Sequence, residues 1–333
     1  MLIFSLACPF SKCYNEFEVV SVMRKNNSSI LLIVTGSLAI IIVTAAVFFK
    51  DGIIYKYYEY KIDKEYSSTA INDYYIEDNF NFVDDYTDTG IKNKKDFINF
   101  IYFALNSGTN YIERYIDKDY IYYESDIEAF TENNGDGFKE IISILNNFVH
   151  PYNSSNNIKI NYGGNYMLGL TINKAYSNDE IEEINLIVEK IIKDKITNDM
   201  PTHEKIKVIH DYIIDHTEYD RLKYENKNDN TYKSNTAYGV LVQGYGTCNG
   251  YADAMAIFLN KMNVINYKIS NNEHIWNLVY LDGNWYHLDL TWDDPISDSN
   301  INRDTYFLIS TEVLEKINDG THNFNKIIYS EAA

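Results

Sequence analysis

The sequence contains few cysteines and little basic charge. Only 3 of its 333 residues are cysteines, and two of them, Cys8 and Cys13, lie within the first 29 residues. Cys248 is therefore the single thiol of the main body, which excludes a disulfide-built fold there. The 29 Lys and Arg residues are outnumbered by 48 Asp and Glu, so the net charge is −19. This balance argues against nucleic acid as a partner, because phosphate binding needs a basic surface.

Motifs for cofactors and metals are also missing. The sequence has no nucleotide-binding loop and no CxxC pair with the histidine spacing of a zinc site. Asp293 and Asp294 are adjacent carboxylates, but calcium needs further spaced oxygen ligands. A solvated turn before Pro295 is the better interpretation of the pair. We therefore expect neither a cofactor nor a metal.

One stretch, residues 30–49, has twenty residues without a charge, ILLIVTGSLAIIIVTAAVFF. At about 1.5 Å per residue it would span about 30 Å, the hydrocarbon thickness of a bilayer. A cleaved signal peptide is the alternative, but its apolar region is usually shorter, at about 7–15 residues. We predict a single transmembrane helix. Met23 precedes Arg24 and Lys25 and resembles the start of such a segment, so residues 1–22 are expected to be an over-extended start.

Basic residues lie on both sides of this span, so they do not decide its orientation. A short segment precedes the span and a large polar body follows it, which is the layout of a signal anchor. We therefore predict a single-pass membrane protein whose C-terminal domain is extracytoplasmic. The predicted regions are a short N-terminal segment 1–29, a transmembrane helix 30–49, an irregular stalk 50–90, a small accessory α+β region 91–174, a main domain 175–320 and a tail 321–333.

The main domain is organised around residues 244–259, GYGTCNGYADAMAIFL. Apolar residues recur at helical spacing after Cys248, so the cysteine is expected where a loop becomes the first turn of a helix. The free N–H groups and the positive end of the helix dipole favour a thiolate there. The alternative is a buried cysteine that packs as a small hydrophobic residue.

A hairpin follows, in which Asp282-Gly283 is a strong two-residue turn signal. If this turn joins the strands, residue numbers of paired positions sum to 565 and Asp289 lies opposite Trp276. His274 is then a diagonal neighbour on the same face, within side-chain reach of Asp289. A slip of one residue would place the two on opposite faces.

Thiol, imidazole and carboxylate are the parts of a nucleophilic triad. Cys248 would attack an acyl carbon, His274 would transfer the proton, and Asp289 would orient the imidazole. The backbone N–H of Cys248 is a natural oxyanion donor. Gln243 is a candidate second donor, although a solvated loop glutamine is the simpler interpretation. His287 is a competing candidate for the base.

Several further side chains are interpreted as structural. Trp276, Trp285 and Trp292 are expected in the core or the cleft wall. His210 and Asp211 are expected to stabilise a helix. Tyr251 and Asn277 are expected to pack or to support the neighbouring strand.

The three segments together resemble the transglutaminase-like superfamily. TCNGYA around Cys248, HIWN from His274 and WYHLDLTWDDP from Trp285 look like its three motif blocks. The order Cys, His, Asp and the spacings of 26 and 15 residues also fit. The motifs are closer to the bacterial and cytokinesis-associated branch than to the animal cross-linking enzymes. The similarity covers residues 175–310.

The resemblance implies an α+β fold with a papain-like core, in which the cysteine helix packs on an antiparallel sheet. It implies Cys248, His274 and Asp289 as the triad, and thiol chemistry on amides of peptides or proteins. Hydrolysis is favoured over acyl transfer to an amine, and a substrate of the cell envelope is expected. The alternative function is a catalytically silent module whose cleft binds a peptide and whose residues 91–172 dock a partner.

Overall fold

The computed structural model describes residues 33–44, 49, 52, 56, 57, 60, 71–84, 90–163, 166–294, 303–317 and 320–333, with the backbone alone at 129–138. The chain divides into two compact units, 1–61 and 62–333, and each is described by itself. The predicted segment 1–29 lies outside the described residues, as does most of the predicted stalk before residue 71.

In the first unit, the described part of the predicted membrane span is helical. Residues 33–44 form a helix, and most of the remainder of 30–49 lies outside the described residues. Among the residues that are described, no helix combines the length and the apolar character needed to cross a bilayer. The transmembrane span therefore stays a prediction.

The second unit begins with two helices and a three-stranded antiparallel sheet. These elements are α1 Lys94–Asn106, β1 Tyr111–Tyr115, α2 Tyr123–Leu145, β2 Ser155–Gly163 and β3 Met167–Lys174. The strand order is β1-β3-β2. The alternating residues 157–162 and 166–172 around Gly163-Gly164 predict a hairpin, which β2 and β3 confirm with Ile158 paired to Ile172. The sequence analysis missed β1 and the first part of α2, where Gly135 and Gly137 have low helix propensity.

Two helices, α3 Asn178–Lys195 and α4 Thr202–His216, then lead to the cysteine segment. Apolar residues at helical spacing in 178–196 and 204–214 predict both of them. A capping box begins α3, in which the side chains and backbones of Ser177 and Glu180 bond reciprocally. This arrangement satisfies two N–H groups that the first helical turn leaves free. Ile184 and Ile209 are among the residues that bury the apolar faces of the two helices.

A short parallel pair of strands lies beside the cysteine helix. The elements here are β4 Glu218–Tyr219, α5 Arg221–Glu225, a π-helical turn Gly239–Gln243, β5 Tyr245–Gly246 and the cysteine helix α6 Cys248–Lys261. β4 pairs with β5, so the loop between them folds back onto its own start. Gly244 precedes β5 with a φ of 78°, in the left-handed region that favours glycine.

Three antiparallel strands complete the main sheet: β6 Asn266–Ser270, β7 Ile275–Leu281 and β8 Asn284–Leu288, in that order. Leu281 pairs with Asn284, and Leu278 pairs with His287. The predicted hairpin register is therefore confirmed. Asp282 and Gly283 both have positive φ, as a tight two-residue hairpin turn requires.

The sheet packs on α6 through one of its faces. Asn277 points to this face, and its Nδ2 donates to the carbonyl oxygen of Ala252 at 2.9 Å. Trp276 and Leu278 alternate with it and belong to the hydrophobic cluster that includes α1 and α2. The antiparallel sheet with a cysteine helix on one face confirms the predicted mixed fold of helices and antiparallel sheets.

The chain ends with two short helices, α7 Leu290–Asp293 and α8 Thr311–Ile317. The sequence of residues 306–310, YFLIS, predicts a strand, and this prediction is wrong. These residues form turns with an isolated bridge between Ile309 and His287. Leu308 has a φ of 48°, which is incompatible with a continuous strand.

Candidate active site

Cys248 lies in the first turn of α6. The side chain of the N-cap residue, Thr247, makes no capping hydrogen bond to this turn. The Thr247 hydroxyl instead donates to Oδ1 of Asn235 at 2.7 Å. The N–H groups at the helix start and the helix dipole remain available to stabilise a thiolate. Cys248 is partly exposed, so it differs from a fully buried, inert cysteine.

The loop before α6 packs tightly against the start of the helix. A Cβ atom at Gly250 would lie 2.2 Å from the carbonyl oxygen of Ser234. The N–H of Thr247 donates to the same oxygen at 2.9 Å. Only glycine allows this close approach, which holds the backbone on both sides of Cys248 in place.

His274 precedes β7, and Asp289 follows β8 as the N-cap of α7. Nε2 of His274 lies 2.5 Å from Oδ2 of Asp289. The Cys248 side chain lies near enough to His274 to raise the pKa of its imidazole. Because Asp289 occupies Nε2, Nδ1 is the ring nitrogen left for the thiol. The three predicted residues are thus brought together at one site.

The charges of this site support one another. Burial by itself would lower the pKa of His274, but Asp289 and Cys248 raise it above its ordinary value. Burial by itself would raise the pKa of Asp289, but the charge and hydrogen bond of His274 lower it, together with His322. Both directions favour an imidazolium beside a carboxylate.

A second histidine, His322, contacts the same carboxylate. Its Nε2 lies 2.8 Å from Oδ2 of Asp289, and the residue is buried. The other oxygen of Asp289 accepts the N–H groups of Thr291 and Trp292 at 2.9 Å and 3.3 Å. Both carboxylate oxygens therefore have partners, which fixes the orientation of the group that holds His274.

The sequence analysis gave His322 no role, since it lies in the predicted tail 321–333. It is 33 residues away from Asp289 along the chain. The tail is held against the sheet by Asn271, whose Nδ2 donates to the carbonyl oxygens of Thr321 and Asn323. Because this contact joins residues that are distant in the sequence, no local sequence pattern predicts it.

Of the three tryptophans, which were predicted in the core or the cleft wall, Trp276 lies in the core and Trp292 is exposed. Trp276 is 1% exposed, whereas Trp292 is 42% exposed. The Trp292 ring is edge-on to His274, with ring centroids 6.4 Å apart. Trp285 packs on the core residue Tyr267 at a centroid distance of 5.2 Å. Trp292 is therefore the tryptophan that shields the imidazole on its solvent side.

Two competing candidates have other partners. His287 accepts a hydrogen bond from Trp276 at Nδ1, and its Nε2 lies 3.0 Å from Oγ1 of Thr311. Burial lowers the pKa of His287 to about 3, so it remains neutral and enclosed. Gln243 is exposed, and its Oε1 accepts the N–H of Lys233 at 2.8 Å. The loop therefore uses this glutamine side chain for its own structure.

His210 and Asp293 form a second histidine–aspartate pair. Their side chains are 0% exposed, and Nε2 lies 3.2 Å from Oδ2. Asp211 contacts the other ring nitrogen at 3.0 Å. Asp293 also accepts the N–H of Tyr306 at 2.9 Å. The pair joins α4 to α7 inside the protein, which agrees with the structural role predicted for His210.

Two groups of described residues could offer three ligand atoms to a metal ion. They are His274, Asp289 and His322, and His210, Asp211 and Asp304. In the first group both imidazoles contact Oδ2 of the carboxylate, and in the second both aspartates pair with Lys207. Hydrogen bonds and ion pairs account for both groups. Asp293 and Asp294, the adjacent carboxylates considered for calcium, bond to different partners, namely His210 and Tyr251.

A cavity of about 820 Å³, here called the cleft, opens beside Cys248. Asn249 and Thr247 line one side, and residues of α2 and β2 such as Ile142 and Ile158 line the other. Lys268 and Asp253 form a buried ion pair in its lining, with Nζ 2.5 Å from Oδ1. The accessory region thus supplies one wall of the cleft, although the sequence analysis left its role open.

One family of known proteins matches the segment that contains the candidate site. The sequence model described as the transglutaminase-like superfamily matches residues 190–290. No curated protein sequence matches the chain significantly. A crystal structure of a transglutaminase aligns with 16% identity and a TM-score of 0.33, covering 44% of this chain and 46% of that one.

A candidate cysteine protease from Cytophaga hutchinsonii aligns with 14% identity and a TM-score of 0.25, covering 40% of this chain and 61% of that one. The chain therefore spans less than two thirds of the length of either solved structure. The family match rests on residues 190–290, which carry the thiol, the imidazole and the carboxylate. This match confirms the resemblance of the segment to the transglutaminase-like superfamily.

Proposed function

We propose that this protein is a thiol enzyme that acts on amide bonds of peptides or proteins through Cys248, His274 and Asp289. One observation carries the proposal: a partly exposed thiol at a helix start lies beside an imidazole that a buried carboxylate holds. This combination activates a nucleophile, since the thiolate is the reactive form and the neighbouring imidazolium favours it.

The reaction would begin with transfer of the thiol proton to Nδ1 of His274. Sγ of Cys248 would then attack the amide carbon, and the carbonyl oxygen would gain negative charge near the N–H of Cys248. Collapse of this intermediate would break the C–N bond while His274 gives its proton to the leaving amine. A thioester between the acyl group and Cys248 would remain.

Water or a second amine could release the acyl group from the thioester. We propose hydrolysis, because Cys248 is partly exposed in a cleft of about 820 Å³ that water can enter. In this step His274 would take a proton from the attacking water, and the thiol would leave as the acid forms. Asp289 would hold the imidazole in one tautomer throughout.

The test uses the full chain in detergent with a library of peptides that contain glutamine and ordinary peptide bonds. Mass spectrometry would detect peptide cleavage or side-chain deamidation, and a labelled primary amine would detect transfer. We expect hydrolytic products that disappear in Cys248→Ser. Products that persist in Cys248→Ser would contradict the proposal, and amine incorporation without hydrolysis would contradict the choice of hydrolysis.

We also propose that residues 30–49 anchor the protein in a membrane, with the main domain outside the cytoplasm and acting on cell-envelope substrates. Support comes from the length and uniform apolar character of the segment. The full chain should resist carbonate extraction and be released by detergent, and protease added to intact cells should digest residues 62–333. A carbonate-soluble protein would contradict the anchor, and full protection from protease would contradict the orientation.

A further inference from the structure

A second cavity, of about 390 Å³, lies next to the cleft, and we call it the acidic pocket. Its charged and aromatic lining residues are Glu218, Asp220, Arg221, Asp294, Tyr219, Tyr232 and Tyr245. Tyr219 lines both the acidic pocket and the cleft with Cys248. The acidic pocket therefore adjoins the cleft at Tyr219, a residue whose pKa burial and the nearby Cys248 both raise.

The two cavities have opposite charge. Among their described lining residues, the cleft has four lysines and one aspartate, whereas the acidic pocket has three carboxylates and one arginine. A cationic group near Cys248 is repelled on the side of the cleft and attracted on the side of the pocket. The charge around the thiol therefore distinguishes the two sides of an extended peptide.

Asp220 is the strongest feature of the acidic pocket. It is 2% exposed, and its Oδ1 accepts the N–H of Lys223 at 3.0 Å. Its Oδ2 is buried and has no hydrogen-bond partner among the residues that the structure describes. A buried carboxylate oxygen without a donor is costly. An occupant that donates a hydrogen bond would remove this cost.

Asp294 carries a second incompletely compensated charge. Burial raises the pKa of Asp294 to about 6, although the hydrogen bond from Tyr251 acts in the opposite direction. The ordinary value for an aspartate is about 3.9. A cation bound in the pocket would stabilise the ionised form of this carboxylate.

Aromatic rings form another wall of the pocket. Tyr232 and Tyr245 are stacked, with ring centroids 3.9 Å apart and an interplanar angle of 14°. Tyrosine faces attract ammonium and guanidinium groups through the ring quadrupole. Carboxylates together with aromatic faces are suited to an organic cation.

We propose that the acidic pocket binds a lysine or arginine side chain of the peptide on which Cys248 acts. This group is recognised and does not react, and its binding sets which amide bond lies at the thiol. The inference rests on the proposed function, because it assigns a second group of the same substrate.

Binding is measured with the full chain carrying Cys248→Ala, in detergent, by a positional-scanning library of blocked hexapeptides. The best position is then compared with lysine, trimethyl-lysine and norleucine in turn. Trimethyl-lysine keeps the charge but has no N–H to donate to Asp220. The lysine peptide should bind about tenfold or more tightly than norleucine, and the trimethyl-lysine peptide should lie between the two. Equal affinities, or a library without any cation preference, would overturn the inference.

Asp220→Asn removes the charge and keeps an acceptor for the N–H of Lys223, so the cap of α5 is retained. The matched control is Glu312→Gln, which removes one charge from an exposed pair with Lys316. Asp220→Asn should reduce the preference for cations to below about threefold, and Glu312→Gln should keep it. Equal effects of the two substitutions would count against the pocket.

This design separates the two proposals. If peptides with a cation bind selectively but no peptide is turned over by the intact enzyme, the proposed chemistry fails and the pocket stands. If turnover depends on Cys248 but shows no preference for a cationic residue, the pocket fails and the chemistry stands.

Discussion

Two histidine–aspartate pairs lie at opposite ends of α7. His274 contacts Asp289 at the N-cap, with 2.5 Å between nitrogen and oxygen, and His210 contacts Asp293 at the last residue, at 3.2 Å. Both aspartates are buried. They differ in the third partner, which is the thiol of Cys248 for His274 and the carboxylate of Asp211 for His210. A buried histidine–aspartate pair is therefore only a structural contact by itself, and it can assist catalysis where a nucleophile lies beside it.

The two carboxylates also differ in their pKa. Burial acts to raise both values, and it prevails at Asp293, where the opposing bonds come from His210 and the N–H of Tyr306. At Asp289 the pKa is lowered, because His274 and His322 both contribute. The imidazole of His322 therefore contributes to the difference in pKa between Asp289 and Asp293.

The largest expected effect comes from removing each histidine in turn. His274→Ala should reduce turnover by about 10²–10⁴-fold with a small change in stability, because it removes the general base. His210→Ala should leave turnover within about threefold and lower the free energy of unfolding by about 3 kcal/mol, since it leaves Asp293 buried and unpaired. Peptide turnover and chemical denaturation of both variants measure this. Similar losses of activity in the two variants would contradict the claim that only the pair beside Cys248 takes part in catalysis.

Asp289→Asn is expected to have the next largest effect. Losing a charged hydrogen bond of about 1.5–3 kcal/mol corresponds to about 13- to 160-fold in turnover. The carboxylate raises the pKa of His274, so rates that need the imidazolium persist to higher pH in the native protein. The alkaline limb of the pH–rate profile should move to lower pH in the variant. Asp293→Asn is the control, and an equal shift there would contradict the assignment.

The surroundings of these two pairs also show which parts of the site can be predicted from the sequence. The hairpin turn Asp282-Gly283 fixes the register, so the approach of His274 to Asp289 follows from local chemistry. The position of Cys248 at a helix start follows from the apolar period after it. His322 and the opposing wall of the cleft could not be predicted, because they depend on how distant segments pack. The strand predicted over residues 306–310 does not form, because Leu308 has a positive φ. A leucine in the sequence does not indicate such a backbone angle.

A smaller effect is expected at His322. His322→Phe keeps an aromatic ring and removes the bond to Asp289, a change of about 0.5–1.5 kcal/mol or roughly 2- to 13-fold in turnover. The alkaline limb should also shift, which a purely structural loss would not cause. His322→Asn can donate again and should recover part of the rate. An unchanged profile in His322→Phe would show that the second imidazole does not orient the carboxylate.

The smallest effect is expected at Gln243. Gln243→Ala removes the bond to the N–H of Lys233, which should lower the free energy of unfolding by about 1 kcal/mol. Turnover should stay within about twofold, because this side chain is engaged by its own loop. A loss of about 10²-fold would instead identify it as an oxyanion donor.

The alkylation rate of Cys248 by iodoacetamide at pH 6 tests the central claim most directly. It is read by mass spectrometry of the peptide with residue 248, so that Cys8 and Cys13 do not contribute. The account predicts that the folded protein reacts more than about tenfold faster than the urea-unfolded chain, and that His274→Ala abolishes this excess while His210→Ala keeps it. Equal rates in the folded and unfolded protein would contradict the account.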